Sequence, residues 1–329
     1  MKIIIDTFGA DNGPEVIING TIEALEKRKF VPVFSGNKEE IEKLISGRIN
    51  SYEIIEASEV ITNNEDPVRA IRRKKESSLV KAYRSLKEGD YDGFISAGST
   101  GAILAGGLFI SGRINGIDRA CLATSLPVYE GSTLLMDTGA NMDCKPEFLQ
   151  EFAIMGSVFS KNVLSVENPT VSLLNVGVEE HKGNKLTTET YKLLQETDVN
   201  FVGNIEARDL LTGKTNIIIA DGFDGNIAIK SAEGLISLFK KELKSAIYSS
   251  LKTKIGGALI KNALKENLSK YSADEVGGAP LLGIKNYVYK AHGNTNSYAF
   301  SNAILGLIDY IEKDTINKIQ GELQCLEKN

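Results

Sequence analysis

Short apolar runs rich in β-branched residues alternate with longer amphipathic segments along most of this chain, and that alternation restricts the fold more than any other feature. The candidate strands are Lys2–Asp6, Val31–Ser35, Tyr52–Glu56, Gly93–Ser96, Ala120–Ser125, Thr133–Met136, Val171–Val176, Asn216–Ala220 and Tyr287–Ala291. Between them lie candidate helices at Glu15–Lys27, Lys38–Ser46, Pro67–Glu88, Thr100–Ile110, Pro146–Ser160, Thr187–Gln195 and Asn226–Tyr248, with a long last helix from about Asn296. Pro67 and Pro146 fall in first helical turns, where a missing N–H costs nothing. Strands alternating with helices build βαβ units, so the chain is expected to be α/β, a three-layer α/β/α fold with a largely parallel sheet. Ligands of such sheets sit at the carboxyl ends of the strands. With no repeat, low-complexity tract or linker to divide them, residues 1–329 read as a single α/β domain. The compositional break, at about 240–272, lacks any strand signal and reads as a protruding helical hairpin.

Bulk properties exclude several classes. Cys121, Cys144 and Cys325 show no C-x-x-C spacing, which argues against a disulfide framework or a zinc site and fits a reducing compartment. His181 and His292 are the only histidines, so no three-histidine metal site exists and no metal is expected. The start, Met1 to Asp6, reads as a strand rather than a signal peptide. The longest apolar run, Gly101 to Ile110, is too short to span a bilayer, so a cytoplasmic enzyme is expected. A net charge of −5 disfavours a nucleic-acid surface.

Four strand-to-helix turns share a composition: Asp6 to Pro14, Ser96 to Ala102, Asp137 to Asp143 and Asp221 to Asn226. In each, glycine permits close backbone approach, while Ser, Thr or Asn supplies a short hydrogen-bonding group. A turn of this kind presents free N–H groups at the positive end of a helix, a physical site for phosphate or an oxyanion. Ser99-Thr100-Gly101 is the best candidate. One such turn alone would be only a cap; four at the same end of one sheet argue for binding. Neither a G-x-G-x-x-G fingerprint nor a G-x-x-x-x-G-K-[ST] loop is present, so a nucleotide cofactor has no motif support and none is expected. Two further loops bring titratable groups: Lys182 beside Gly183 after Val171–Val176, and His292-Gly293 after Tyr287–Ala291. Lysine supplies a point charge for phosphate, and histidine a proton near neutral pH.

The same motifs carry a family likeness. Asp6-x-x-Gly9-x-Asp11-x-x-Pro14, Ser96-Ala97-Gly98-x-Thr100-Gly101-Ala102, Asp137-x-Gly139-Ala140-Asn141-x-Asp143-Cys144 and Phe152-Ala153-Ile154-Met155-Gly156 occur in order. Glu206-Ala207-x-x-Leu210-Leu211, Asp221-Gly222-Phe223-x-Gly225-Asn226, Leu282-Gly283 and His292-Gly293 follow. Together they resemble the phosphate acyltransferases of bacterial phospholipid synthesis, the PlsX family, over nearly the whole chain. Phe8, Ala10 and Ser99 stand where that family usually has methionine, glycine and asparagine. The resemblance implies transfer of a long-chain acyl group from acyl carrier protein to inorganic phosphate, a homodimer, and a fold like that of isopropylmalate dehydrogenase and phosphotransacetylase. In that chemistry Ser99, Thr100, Gly101 and Lys182 are expected to hold phosphate, and Asn141 and Asn226 to polarise the thioester carbonyl. His292 would then protonate the leaving thiol, while Gly9, Asp11, Asp137, Gly139, Asp221, Gly222 and Gly225 build or orient the substrate turns. The alternatives are a short-chain phosphotransacetylase using coenzyme A and a non-catalytic lipid- or carrier-binding scaffold.

The hairpin has its own chemistry. From Lys240 to Lys270 there are eight lysines and two glutamates, Glu242 and Glu266, a local +6 in a chain of net −5. Ile255, Leu259, Ile260, Leu264 and Leu268 recur at helical spacing among Lys254, Lys261 and Lys265, with Gly256-Gly257 read as the tip between two helices. A basic amphipathic helix suits peripheral contact with an anionic membrane, an acidic partner such as acyl carrier protein, or a second subunit.

Overall fold

The computed structural model describes residues 1–269 and 271–326; Lys270, counted above in the basic segment, lies outside the described residues. In chain order the first half contains β1 (Lys2–Asp6), α1 (Pro14–Lys27), β2 (Val31–Gly36), α2 (Lys38–Ile45), β3 (Glu53–Glu56), α3 (Pro67–Arg73), α4 (Ser78–Glu88), β4 (Gly93–Ser96), α5 (Thr100–Gly106), β5 (Cys121–Leu122), β6 (Thr124–Pro127), β7 (Ser132–Met136) and α6 (Pro146–Asn162). The second half adds β8 (Thr170–Asn175), α7 (Lys185–Gln195), β9 (Asn200–Glu206), β10 (Ile217–Ile219), α8 (Gly222–Tyr248), α9 (Leu251–Ser269), α10 (Ala273–Val276), β11 (Gly278–Leu282), β12 (Tyr287–Ala291), α11 (Ser297–Glu312) and α12 (Thr315–Leu326).

The strands form two sheets rather than the one expected. A seven-stranded sheet has the order β3-β2-β1-β4-β12-β11-β5, and a five-stranded sheet the order β6-β7-β10-β8-β9. Both are largely parallel. The exceptions are β11, antiparallel to β12 and β5, and β6, antiparallel to β7. The segment read as one strand, Ala120–Ser125, divides at Ala123: β5 ends the first sheet and β6 begins the second.

Side-chain alternation explains the layers. Ile4, Val33, Phe94 and Val288 face α3, α4 and α5, whereas Ile3, Ile5 and Ile95 face α1, α2 and α11. In the second sheet Ile217 and Ile219 pack toward α6, while Ile218 and Leu135 pack toward α8 through Ile229. One buried cluster takes residues from both sheets, including Ile95, Leu134, Phe152, Ile217 and Ile304, so the two sheets share a core.

Other departures from expectation have local causes. The helix expected over Pro67–Glu88 breaks at Lys74–Ser77, because the Ser77 hydroxyl accepts from the Val80 N–H and starts a new helix. Helix α5 widens into a π turn over Gly107–Ser111. Strands β9 and β11 carried no recognised signal. The first bends at Gly203 (φ +98°) and the second contains Pro280 beside two glycines, Gly277 and Gly278. The hairpin is present as α8 and α9, but its turn is Ser249–Ser250, not Gly256-Gly257. The Ser250 hydroxyl accepts from the Thr253 N–H and the Thr253 hydroxyl from the Ser250 N–H, a reciprocal cap that starts α9. Gly257 instead lets α9 approach α8: a Cβ there would stand 2.4 Å from Ile247 Cγ2.

Candidate active site

The carboxyl ends of the two sheets open onto a common cleft. In the first sheet the strand order reverses between the parallel neighbours β1 and β4, and their following loops diverge there, the usual crevice of an open α/β sheet. Gly9 sits in that crevice with φ +88°, where a Cβ would lie 2.6 Å from Gly98 Cα. Beneath the two loops Asp6 is buried. It accepts from the Ser96 hydroxyl at 2.7 Å and the Phe8 N–H at 3.1 Å, and burial pushes its carboxyl up to about 6.

In the second sheet Asp137 is fully buried and binds the turn that follows it. Its Oδ1 accepts from the N–H groups of Leu122 and Ala140, and its Oδ2 from the N–H and side-chain amide of Asn141. Asp221 caps α8 by accepting from the Phe223 N–H, and also accepts from the Cys144 N–H. Gly225 allows the helix start to rest on this turn, since a Cβ there would meet the Asp137 carbonyl at 2.0 Å; Gly222 is likewise pressed against Asn141. Asp137, Asp221, Gly222 and Gly225 therefore build the wall. Asn141 joins them: its amide donates to Ala120 O at 2.8 Å and to Asp137 at 2.9 Å, so the expected carbonyl-polarising donor is spent on a brace.

The cleft floor, about 290 Å³, is lined by Thr100 from the start of α5, Thr138 and Gly139 after β7, Asn226 from α8, and Lys290 and His292 at the end of β12. Asn226 packs against Gly139. Ser99 precedes α5 without a side-chain cap bond, so the cap that a serine usually supplies is not made. Gly101 does not line this floor; it faces Pro67 of α3, and a Cβ there would lie 2.7 Å from the proline ring. Asp11 lies at the outer rim, its N–H donating to Gly293 O at 2.9 Å.

Two lysines escaped the sequence reading. Lys290 leans into the floor with its ammonium 3.4 Å from Ala97 O and close to Ala291 O. Burial holds it down to about 8, against the pull of Asp11 and Asp6. Lys230, on the exposed side of α8, pairs with Glu233 at 2.8 Å on the same cleft wall. The overlooked signal was period two. Val288, Lys290 and His292 share one strand face, and a lysine inside an apolar strand is unusual. Burial, then Lys290 and Lys230, lower the His292 pKa, which favours its neutral ring at pH 7.

Lys182 lies elsewhere. It is exposed on the loop after β8, where its carbonyl accepts from the Asn175 amide, and it does not line the floor. This loop borders a separate apolar groove of about 890 Å³ on the other flank of α8. Burial raises the thiols of both Cys121 and Cys144, with Asp137 and Asp221 respectively adding to the effect, so neither is a poised nucleophile.

The family described as "Fatty acid synthesis protein" matches residues 1–318. A protein named Phosphate acyltransferase from Clostridium novyi (strain NT) is 45% identical over 98% of this chain and 99% of its own length. Another of that name from Clostridium acetobutylicum is 46% identical over 99% of this chain and all of its own. The chain belongs to the phosphate acyltransferase family. It is therefore an acyltransferase. Its fold is that of the phosphotransacetylase group. A phosphotransacetylase from Streptococcus pyogenes superposes with a TM-score of 0.61 at 17% identity, covering 95% of this chain and 94% of the other. The EutD phosphotransacetylase from Staphylococcus aureus gives 0.60 at 16%, covering 94% of each.

Proposed function

We propose that the cleft transfers a long-chain acyl group from the thioester of acyl carrier protein to inorganic phosphate, forming acyl phosphate for phosphatidic acid synthesis. The observation that carries this reading is the convergence of Lys290, Lys230, His292 and the start of α5 on one small polar floor. Family membership supplies the acyl chemistry, and the relatives' name supplies the acceptor.

Phosphate is itself the nucleophile, so the protein has only to bind it, align a thioester beside it and stabilise the oxyanion that forms. Lys290 and the Thr100 end of α5 hold the dianion, with Ser99 and Gly101 shaping that turn and Lys230 adding charge at the wall. Asn226 donates to the thioester oxygen. A hydrogen phosphate oxygen attacks the carbonyl carbon, the carbon–sulfur bond breaks, and the proton of hydrogen phosphate ends on the thiolate. His292, neutral at rest, takes that proton and passes it to sulfur, which refines its expected role as the donor.

The acidic carrier and an anionic membrane are both attracted by the basic hairpin, whose Leu251, Ile255 and Leu259 are exposed between lysines. No helix among the described residues is long and apolar enough to cross a membrane; in this reading the enzyme is cytoplasmic and touches the inner face of the cell membrane peripherally. A homodimer is supported by the exposed Val176, Val178, Ile227 and Leu235 around the apolar groove. The Lys182 loop borders this face rather than the floor, so Lys182→Ala is expected to change the phosphate KM less than replacement of Lys290 does. The deciding experiment measures thiol release from palmitoyl-acyl carrier protein and palmitoyl-coenzyme A, with and without phosphate. Phosphate-dependent release favouring the carrier is expected. Preference for the coenzyme A donor would replace this reading with a phosphotransacetylase, and no release with a non-catalytic scaffold.

A further inference from the structure

The polar floor does not end at His292. A second cavity of about 550 Å³ continues from it, sharing Thr124, Ile229, Lys230, Glu233, His292 and Gly293. Its composition changes along its length. The shared end is polar apart from Ile229, whereas Leu126, Pro127, Leu211, Ile236 and Val276 supply an apolar wall beyond it, with Asp11, Ser125, Tyr271, Asn294 and Thr295 also lining the cavity. It runs between β6 and the inner side of α8, and its far end is bounded by Lys240 and Ser237 on α8 and by Asp274 on α10. Those are the points where the basic hairpin leaves the body of the molecule and returns to it.

Another cavity of nearly the same size, about 530 Å³, lies between α6 and α12, but Lys161, Glu167, Asp198, Lys318 and Glu322 line it and it shares no residue with the floor. The apolar groove beside Lys182 also shares none with the floor. Of these cavities among the described residues, the one between β6 and α8 joins a reacting end to an apolar lane.

We infer that this lane holds the acyl chain of the thioester, with the carbonyl at His292 and Asn226 and the chain's terminus at the root of the hairpin. The inference rests on the acyl-transfer reading and adds to it the surface that measures chain length. A lane of this volume suits a flexible apolar ligand of drug-like size, and an acyl chain attached at its polar end is the occupant that its gradient fits. Each methylene taken from water at a matched wall changes kcat/KM by about three- to four-fold, so a chain that reaches Val276 and Ser237 is favoured many-fold over one that stops at Ile229. The exit at the hairpin root also gives an apolar product a path toward the basic surface without crossing the polar floor.

The test compares kcat/KM for palmitoyl and butyryl thioesters of the carrier in the full-length protein. Ser237→Trp, at an exposed helix position, and Val276→Phe, on α10, fill the far end of the lane. Each should lower the palmitoyl-to-butyryl ratio by about ten-fold or more. Asn168→Trp, in the charged cavity between α6 and α12, should leave the ratio where it is. An unchanged ratio in both lane variants, with turnover retained, overturns the lane alone. A ratio that moves equally in Asn168→Trp also overturns it. No phosphate-dependent turnover of either donor by the parent protein overturns the acyl-transfer reading and the lane with it.

Discussion

Lys290 is the residue on which the electrostatics of the cleft turn. Its ammonium is held down to about 8 by burial, so it is cationic at neutral pH and loses its charge as pH rises through that value. The KM for phosphate should therefore climb above about pH 8 in the parent protein, and Lys290→Arg should move that rise beyond the measurable range. Asp6 titrates in the opposite sense to most paired carboxylates. Its folded pKa, about 6, exceeds the ordinary aspartate value of 3.8, so the folded state holds a proton that the unfolded chain releases between those values. Stability should fall as pH rises from 4 to 6 and then level off. Thermal unfolding of the parent relative to Asp6→Asn checks this, because the variant lacks the slope. The turns holding Thr100, Gly139, Asn226 and His292 were readable as glycine-rich passages after strands. What sequence could not reveal was the use of each donor: Asn141 and Asn226 look alike as letters, yet one is tied to Asp137 and the other faces the cleft.

At the level of elements, the sequence was most informative where a strand is buried and regular. β1, β4 and β12 lie where the apolar runs placed them. β11 was hidden because its partners tolerate what a strand signal excludes. Pro280 needs no N–H at its place in the ladder, and its carbonyl accepts from Ala123. The hairpin tip was misplaced because a glycine pair outweighed the Ser250–Thr253 cap, although glycine inside a helix also serves close packing. That packing predicts a result. Gly257→Val would drive a side chain into Ile247, splaying α8 from α9, and limited proteolysis should cut the hairpin faster than in the parent while the rest of the chain stays resistant.

For the whole molecule, two sheets around one core explain how four separate turns reach one cleft, since each sheet directs its carboxyl ends toward it. The division at Ala123 is a property of register that no single-residue signal encodes. The basic hairpin extends the same logic outward: a chain of net −5 confines a local +6 to one protrusion. Flotation with anionic vesicles should recover the parent protein, and replacing Lys254, Lys261 and Lys265 with glutamate should abolish recovery. Equal recovery of both would remove the membrane from the account.

The central claim is that acyl transfer to phosphate takes place on the floor between the sheets. Its most direct test is the phosphate dependence of thiol release from palmitoyl-acyl carrier protein, in the parent and in Lys290→Met, with the donor concentration also varied. Loss of one charge-assisted contact should raise the phosphate KM by about 10- to 100-fold and leave the donor KM close to the parent's. An unchanged phosphate KM in Lys290→Met, or thiol release that needs no phosphate, would contradict the account.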